Sequence, residues 1–359
     1  VLAEHPTDMH ALLVELQSLD RLKRSDELLE RLRFAVATYP KDKRLRMQFA
    51  RALAHTDVKA AVEQYVILSQ IYPDDEGITL ALALLSREIG DEQTAITELK
   101  RLVKSPVHGA RSRYFLARIA EQDLRFQAAI LLYLQVPPSQ EFLVANSRLS
   151  RLAQGQMSTK EARTLFEQQR ERYPSEEVGL YIIEAEMLQR SHHYQEGHDL
   201  LSRALKKYPK NTDLLYSRSL FSSELKNVDL LEKDLRIILE AEPNNAAALN
   251  ALGYSLANLT DRLDEARELV EKALNIRPTD PAIMDSVGWV AYRQGNLELA
   301  RKHLEAAYEK IQDHEIAAHL GEVLWKLGLE KEAKLIWQQG LEKKPDSTKI
   351  TDTIKRLNP

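Results

Sequence analysis

Proline recurs along this chain at nearly constant intervals, and this period is the feature that most constrains the fold. The first nine prolines of the series are 31 to 37 residues apart, and the tenth follows after 67 residues, which is two periods with one proline missing. A fixed period of this length is typical of proteins built from stacked helix pairs. The series is Pro6, Pro40, Pro73, Pro106, Pro137, Pro174, Pro209, Pro243, Pro278 and Pro345.

Each period ends in an amphipathic segment, as a helix stopped by a proline requires. Proline lacks a backbone N–H, and its ring clashes with the preceding helical turn. Before Pro278, apolar and small residues recur with helical spacing at Ala266, Leu269, Val270 and Ala273. A polar turn and a second segment with one apolar face precede this stripe. The sequence therefore predicts two antiparallel helices for each period.

Small residues occupy fixed places in the three C-terminal periods. In the last period Gly321 is followed twelve residues later by Ala333, and then by Trp337, Gly340 and Pro345. Two helix axes approach to about 8–10 Å only where a side chain is nearly absent, so these residues indicate close helix crossings. The preceding period holds the same places with Gly288, Ala300, Leu304 and Ala307, and the one before it matches with one extra turn residue, through Gly253, Ala266, Val270 and Ala273.

This arrangement of small, apolar and proline residues resembles the tetratricopeptide repeat family. The resemblance implies an all-α fold, a right-handed α-solenoid of about ten helix hairpins closed by a C-terminal capping helix. In the last segment Ile350, Ile354 and Leu357 form a thin apolar stripe on a mostly polar helix, which suits a cap at the end of a stack.

The repeats account for nearly the whole chain, so no segment of domain size is left for a catalytic module. The spacing is disturbed by a helix-breaking stretch at 134–142 and a polar turn at 154–159. We therefore expect a soft boundary in that region. The predicted blocks are 1–137 with about four repeats, 138–345 with about six repeats, and the capping helix at 346–359.

Composition excludes several classes of function. The 50 basic and 54 acidic residues nearly balance, whereas nucleic-acid binders usually carry a basic excess. The absence of cysteine excludes disulfides and thiolate metal sites. No apolar run of about 18 residues exists, so the sequence predicts no membrane span. The chain begins at Val1 without a signal segment, and we expect any targeting peptide or lipid-bearing segment to have preceded it.

Motifs of catalysis and metal binding do not emerge from the sequence. His314 and His319 are five residues apart, whereas two zinc ligands on one helix face need a spacing of four. No nucleophile elbow, phosphate-binding loop or dinucleotide fingerprint is found. We therefore predict a protein that is not an enzyme and that needs neither a cofactor nor a metal.

The resemblance places partner binding on the first helix of each repeat, at offsets of −3, +1, +4 and +5 from its small central residue. In the four C-terminal repeats these positions hold aromatic residues interleaved with amides and charges, a composition typical of protein interfaces. The alternative is that the aromatic side chains pack against neighbouring repeats. The predicted site residues are Tyr216, Asn250, Tyr254, Asn258, Asp285, Trp289, Tyr292, Arg293, Glu322 and Trp325.

A more specific resemblance lies in residues 246–345, especially the runs 250–258 and 280–289. These are similar to Gram-negative outer-membrane lipoproteins of the family that bind a carboxyl-terminal processing protease. The resemblance implies a periplasmic adaptor with protein partners, namely that protease and its cell-wall hydrolase substrates, and a lipidated N-terminus outside this chain. The alternative is a repeat scaffold for another envelope or cytoplasmic assembly. A clamp for a peptide carboxylate is disfavoured, because the lysines it needs are missing near Asn250 and Asn258.

Overall fold

The computed structural model describes residues 8–357, and this part of the chain is entirely helical, without a β-strand. The all-α fold that the proline period predicted is therefore confirmed. The first helices along the chain are α1 Met9–Arg21, α2 Ser25–Thr38, α3 Lys43–Leu53, α4 Val58–Ile71, α5 Glu76–Glu88, α6 Glu92–Leu102, α7 Gly109–Gln122, α8 Phe126–Leu134, α9 Phe142–Gln156 and α10 Thr159–Arg172.

A short 3₁₀ turn, Pro174–Glu176, separates these helices from the remainder. Helices such as α15 and α16, or α17 and α18, make their most extensive contacts with each other, as hairpins do. The remaining helices are α11 Glu177–Arg190, α12 Tyr194–Lys207, α13 Thr212–Glu224, α14 Val228–Ala241, α15 Ala246–Leu259, α16 Leu263–Ile276, α17 Pro281–Arg293, α18 Leu297–Lys310, α19 His314–Lys326, α20 Glu330–Lys343 and α21 Thr348–Leu357.

The chain divides into two compact units, Val1–Leu180 and Tyr181–Pro359. This division falls within α11, and not at the boundary 137/138 that the sequence suggested. The two repeat blocks inferred from the spacing stay a prediction, and residues 1–7 and 358–359 of the outer blocks lie outside the described residues. Each unit consists of helices that contact their neighbours in sequence.

The prolines mark helix ends as predicted. In most periods the second helix ends two residues before the proline, because a residue preceding proline is disfavoured in the helical conformation. This holds for Thr38, Ile71, Arg172, Lys207, Ala241, Ile276 and Lys343.

Helix starts are set by short polar side chains. Asp75 accepts a hydrogen bond from the backbone N–H of Ile78 at 3.0 Å, and Asn245 accepts one from Ala248 at 3.0 Å. Each cap satisfies one of the four backbone donors that the first helical turn leaves free. The tight turn inside the hairpin needs a left-handed residue, which is supplied by Gly295 and Gly328 at φ 83° and 81°.

The small residues lie where helices cross, as expected. A Cβ atom on Gly321 would lie 2.1 Å from Nε1 of Trp337, and one on Gly288 would lie 2.6 Å from Cγ of Leu304. Ala333 is fully buried at the same hairpin. The large residues at the equivalent place in the second helices are also buried, which makes these hairpins closely packed. They include Tyr65, Tyr133, Phe166, Leu201, Val270, Leu304 and Trp337.

Helix α21 covers the end of the second unit. It packs mainly on α19, and Ile350 is fully buried there and lies near Gly340 of α20. Ile354 and Leu357 pack more loosely on the same core. The expected capping helix is thus present at Thr348–Leu357. Within residues 8–357 no helix has both the length and the apolar character needed to cross a membrane.

Candidate partner-binding site

The first helices of the C-terminal hairpins line an open pocket of about 520 Å³ in the second unit. We call it the polar pocket, and it is formed by α13, α15, α17 and α19. Its polar lining consists mainly of hydroxyl, amide and carboxylate groups. The residues that matter for its chemistry are Tyr216, Glu224, Asn250, Tyr254, Asp285, Glu315 and His319.

A histidine–carboxylate pair stands on the wall of the polar pocket. Nδ1 of His319 lies 2.9 Å and 3.1 Å from the two carboxylate oxygens of Asp285. The imidazole ring stacks on the indole of Trp289 at a centroid distance of 4.2 Å and an angle of 25°. Burial disfavours a charged imidazole, but the carboxylate of Asp285 outweighs this, so the pKa of His319 is raised.

The potential inside the polar pocket is negative. The pKa of the Tyr254 phenol is raised, first by burial and then by the charges of Asp285, Glu315 and Glu224. Glu224 and Glu315 are exposed, and neither forms an ion pair within the described part of the chain, residues 8–357. The carboxylates of Glu224 and Glu315 therefore contribute negative charge to the pocket, and no ion pair within the described residues neutralises them.

Several hydrogen-bonding groups of the polar pocket have no partner within the protein. The side-chain oxygen of Asn250 is shielded from solvent and accepts no hydrogen bond. The hydroxyls of Tyr216 and Tyr254 also have no hydrogen-bond partner among the described residues. The two tyrosine hydroxyls are therefore available to a bound molecule, whereas an unpaired shielded oxygen such as that of Asn250 is unusual in a folded protein.

A second pocket of about 500 Å³ is lined by Asn258, Trp289, Tyr292, Arg293, Glu322 and Arg356. We call it the arginine pocket. Its charges are largely used within the protein, because the guanidinium of Arg356 on α21 forms two hydrogen bonds with Glu322, at 2.7 Å and 2.6 Å. Arg293 donates to the backbone oxygen of Ala257.

The carboxylate of Glu322 in the arginine pocket is held by two neighbouring side chains, Arg356 and Tyr292. Its side chain is 2% exposed, and it accepts a hydrogen bond of 2.7 Å from the hydroxyl of Tyr292. Burial and this carboxylate raise the pKa of Tyr292 to about 12. The indole N–H of Trp289 is buried and has no acceptor.

Of the ten predicted site residues, four line the polar pocket, five line the arginine pocket, and Trp325 lines neither. Trp289, with 8% of its surface exposed, forms part of the packed interior as well as a pocket wall. Trp325 lines neither of the two pockets; it packs on the core and lies 5.7 Å, centroid to centroid, from Trp337. Those in the polar pocket are Tyr216, Asn250, Tyr254 and Asp285, and those in the arginine pocket are Asn258, Trp289, Tyr292, Arg293 and Glu322.

Several residues that line the two pockets are not among the predicted site residues. His319 and Glu315 lie on α19 at offsets of −2 and −6 from Gly321, which the family pattern does not include. Ser286 lines the pocket at the same −2 offset in the preceding repeat, so this offset is a usable signal. Glu224 lies at the +5 offset but was not chosen, and Arg356 comes from the capping helix, where no offset applies.

Metal binding finds no support in the described part of the chain. Residues 8–357 contain no cluster of three or more histidine, cysteine, aspartate or glutamate side chains that would hold a metal ion. His314 lies 3.0 Å from the hydroxyl of Ser347, and His319 is paired with Asp285, so the two histidines are engaged separately.

The known proteins with similar sequences include tetratricopeptide repeat proteins. A family model described as tetratricopeptide repeat matches residues 79–141 and 232–281. A tetratricopeptide repeat-containing protein of Pseudomonas aeruginosa is 39% identical over 312 residues, which are 87% of this chain and 53% of that protein. One from Methanocaldococcus jannaschii is 34% identical over 95 residues, 26% of this chain and 17% of its own length. The chain therefore spans about half, or less, of these relatives.

Similarity to solved structures concerns the fold alone. A tetratricopeptide repeat protein from Parabacteroides merdae aligns with 79% of this chain and 99% of its own, with a TM-score of 0.51 and 14% identity. Proteins of this kind are generally scaffolds that bind other proteins. The chain thus contains segments that match the tetratricopeptide repeat model and is similar in sequence and fold to tetratricopeptide repeat proteins.

Proposed function

We propose that this chain is part of a non-catalytic periplasmic adaptor. It binds a carboxyl-terminal processing protease together with cell-wall hydrolases, which are substrates of the protease, and promotes their proteolysis. In the full-length protein a lipidated N-terminal segment anchors it to the outer membrane. The chain spans 53% of its relative from Pseudomonas aeruginosa, so the activity of the whole protein is part of the proposal.

One observation carries this proposal. The sequence runs 250–258 and 280–289, which resemble the protease-binding lipoproteins, lie on α15 and α17, and these helices line both pockets. The residues that carry the resemblance are therefore placed where a partner could reach them. Tyr254 and Asn258 are examples, one in each pocket.

The mechanism follows from scaffolding. A protein that holds an enzyme and its substrate together raises the effective concentration of each for the other without new chemistry. If the protease also has an inactive arrangement, an adaptor that binds the active arrangement more tightly shifts the equilibrium towards it. No residue of the two pockets has to take part in bond cleavage.

The proposal is tested with the purified chain, the full-length protein and the protease. We expect size-exclusion chromatography and titration calorimetry to detect a complex, and cleavage of a purified cell-wall hydrolase to become faster when either form is added. A catalytically inactive protease with the same adaptor should give no cleavage. If neither form binds the protease or accelerates cleavage, the protease-adaptor function is wrong, and a scaffold for another assembly becomes the better hypothesis.

A further inference from the structure

We propose that the polar pocket binds a lysine or arginine side chain of a polypeptide partner. This inference names the chemistry of one contact at the proposed adaptor surface, and it rests on the proposed function only in taking the partner to be a protein. It depends on three features of the pocket: its charge, its unpaired acceptors and its aromatic walls.

The charge of the pocket favours a cation. His319 and Asp285 form a pair, so they neutralise each other when the imidazole is protonated. Asp313 is occupied as the N-cap of α19. What remains is two exposed carboxylates, Glu224 and Glu315, against a single exposed lysine, Lys349. The pocket therefore keeps a net negative charge even in its most protonated state near neutral pH.

The unpaired groups of the pocket are mostly hydrogen-bond acceptors. The carboxylates of Glu224 and Glu315 are exposed and form no ion pair within residues 8–357. The phenol oxygens of Tyr216 and Tyr254 can accept as well. An ammonium group brings three donors and a guanidinium five, without any acceptor of its own. A basic side chain thus supplies the donors that this part of the protein lacks.

The walls of the pocket suit the stem of such a side chain. Lysine and arginine cover apolar surface with their methylene groups while the charged end reaches polar partners. The rings of Tyr216 and Tyr254 provide apolar faces beside the carboxylates, and a cation over such a ring gains a further attraction. The space of about 520 Å³ exceeds one side chain, which leaves room for the backbone that carries it.

Other occupants satisfy the pocket less well. An acidic side chain would approach Glu224, Glu315 and Asp285 and be repelled. An apolar side chain would displace water from the exposed carboxylates of Glu224 and Glu315 and offer them no donor in exchange, which is unfavourable. The neighbouring arginine pocket does not offer an equal site, because Arg356 and Glu322 already form a pair there.

The test uses short blocked peptides and the whole chain labelled with ¹⁵N. One peptide carries lysines, a second arginines, a third norleucines and a fourth glutamates in otherwise identical sequences. We expect the lysine and arginine peptides to shift the NMR signals of Tyr254, His319 and Asn250 with saturable dependence on concentration. Raising the salt concentration should weaken this binding, because part of it is electrostatic.

Two double variants decide whether the binding is specific to this pocket. Glu224→Gln with Glu315→Gln removes its free carboxylates without changing side-chain size, and we expect affinity for the lysine peptide to fall by roughly tenfold or more. Glu268→Gln with Glu309→Gln removes the same charge from exposed positions on α16 and α18, and affinity should stay unchanged.

Three results would overturn the inference: equal binding of the norleucine peptide, preferred binding of the glutamate peptide, or the same loss in both double variants. This test is independent of the protease. Lysine peptides that bind at the pocket, together with a protease that does not bind, would contradict the adaptor function and leave the pocket chemistry intact. A protease that binds equally well to the Glu224→Gln, Glu315→Gln variant would show that the adaptor function does not use this contact.

Discussion

At the scale of single residues, the most informative contact is the one between His319 and Asp285. The imidazole is stacked on Trp289 and held by both carboxylate oxygens, so its charge is tied to the folded structure. Glu315 on the same helix adds to the attraction, and Lys349 opposes it. These groups together predict how the stability of the second unit depends on pH.

The pair should stabilise the protein more at low pH than at high pH. The folded-state pKa of His319 is raised above the ordinary value of histidine, about 6.5. A raised pKa means that the stabilisation is fully present below the unfolded pKa and is lost as the pH rises through the folded pKa. We expect the stability difference between the natural chain and His319→Gln to be larger near pH 5.5 than near pH 9.

Urea unfolding followed by circular dichroism at the two pH values measures this difference. Exposed His192 supplies the control, because its nearest partner is the hydroxyl of Tyr194 and it has no carboxylate beside it. His192→Gln should show little pH dependence. A His319→Gln variant whose destabilisation is the same at both pH values would show that folding does not shift the pKa of His319.

A second prediction at this scale concerns Gly321. A Cβ atom there would lie 2.1 Å from the indole nitrogen of Trp337, so even alanine forces the hairpin α19–α20 apart. Overpacking of this kind typically costs about 1–3 kcal/mol. We expect Gly321→Ala to destabilise the second unit by that amount in urea unfolding followed by tryptophan fluorescence.

Gly155 is the matched control for this substitution. It lies near the end of α9, and an added Cβ would meet no atom within 4 Å. Alanine has the higher helix propensity, so Gly155→Ala should be neutral or slightly stabilising. If both substitutions had the same effect, the close approach at Gly321 would not be what determines stability there.

At the scale of the helices, α21 is held by one charged contact as well as by apolar packing. Arg356 reaches Glu322, whose side chain is 2% exposed, and Ile350 anchors the start of the helix in the core. The arginine itself is 56% exposed, so screening by water reduces its contribution. The buried carboxylate of Glu322 therefore loses more than the exposed guanidinium of Arg356 when this contact is broken.

Removal of Arg356 should loosen the end of the capping helix. Arg356→Met leaves Glu322 with only the hydroxyl of Tyr292, and an under-satisfied buried acceptor costs about 1–3 kcal/mol. Hydrogen exchange detected by mass spectrometry should show faster exchange in α21 and little change in α15. Adding Glu322→Gln should recover part of the protection, because an amide needs less compensation than a buried carboxylate.

Lys355→Met provides the comparison for this experiment. Lys355 and its neighbour Asp352 have side chains that are 79% and 73% exposed, and a contact of this kind contributes little. Exchange in α21 should be unaffected. Equal loosening by both substitutions would mean that the apolar stripe of α21, and not the pair with Glu322, holds the helix.

At the scale of the whole molecule, each helix contacts mainly its neighbours in the chain. In such repeat architectures stability is close to a sum of local and nearest-neighbour contributions. Local damage should therefore spread over adjacent hairpins and not over the entire chain. The chain divides into two compact units between Leu180 and Tyr181, so we expect damage in one unit to leave the other unit intact.

Phe166→Ala tests the local nature of stability. The ring is fully buried in α10, and its loss should cost about 3–5 kcal/mol. We expect faster hydrogen exchange in α9 and α10, with exchange in α17 to α20 unchanged. Gly321→Ala should give the opposite pattern, with loss of protection in α19 and α20 only. Uniform loss across both units in either variant would show a single cooperative structure.

The sequence alone was sufficient for the repeat and for its local details. The period of the prolines and the small residues at Gly288 and Gly321 act within one helix pair, so their physical effects can be deduced from spacing. The same pattern placed Tyr254 and Asp285 on the first helices of their repeats, which the structure finds on the polar pocket.

What only the tertiary structure decided is which groups remain free at that surface. His319 and Asp285 are 34 residues apart, as are Arg356 and Glu322, so one period brings each pair together. The spacing does not say whether the side chains turn towards each other or towards solvent. That choice depends on helix crossing and on packing around Trp289, which is why two pairs became internal contacts while Glu224 and Glu315 stayed available to a partner.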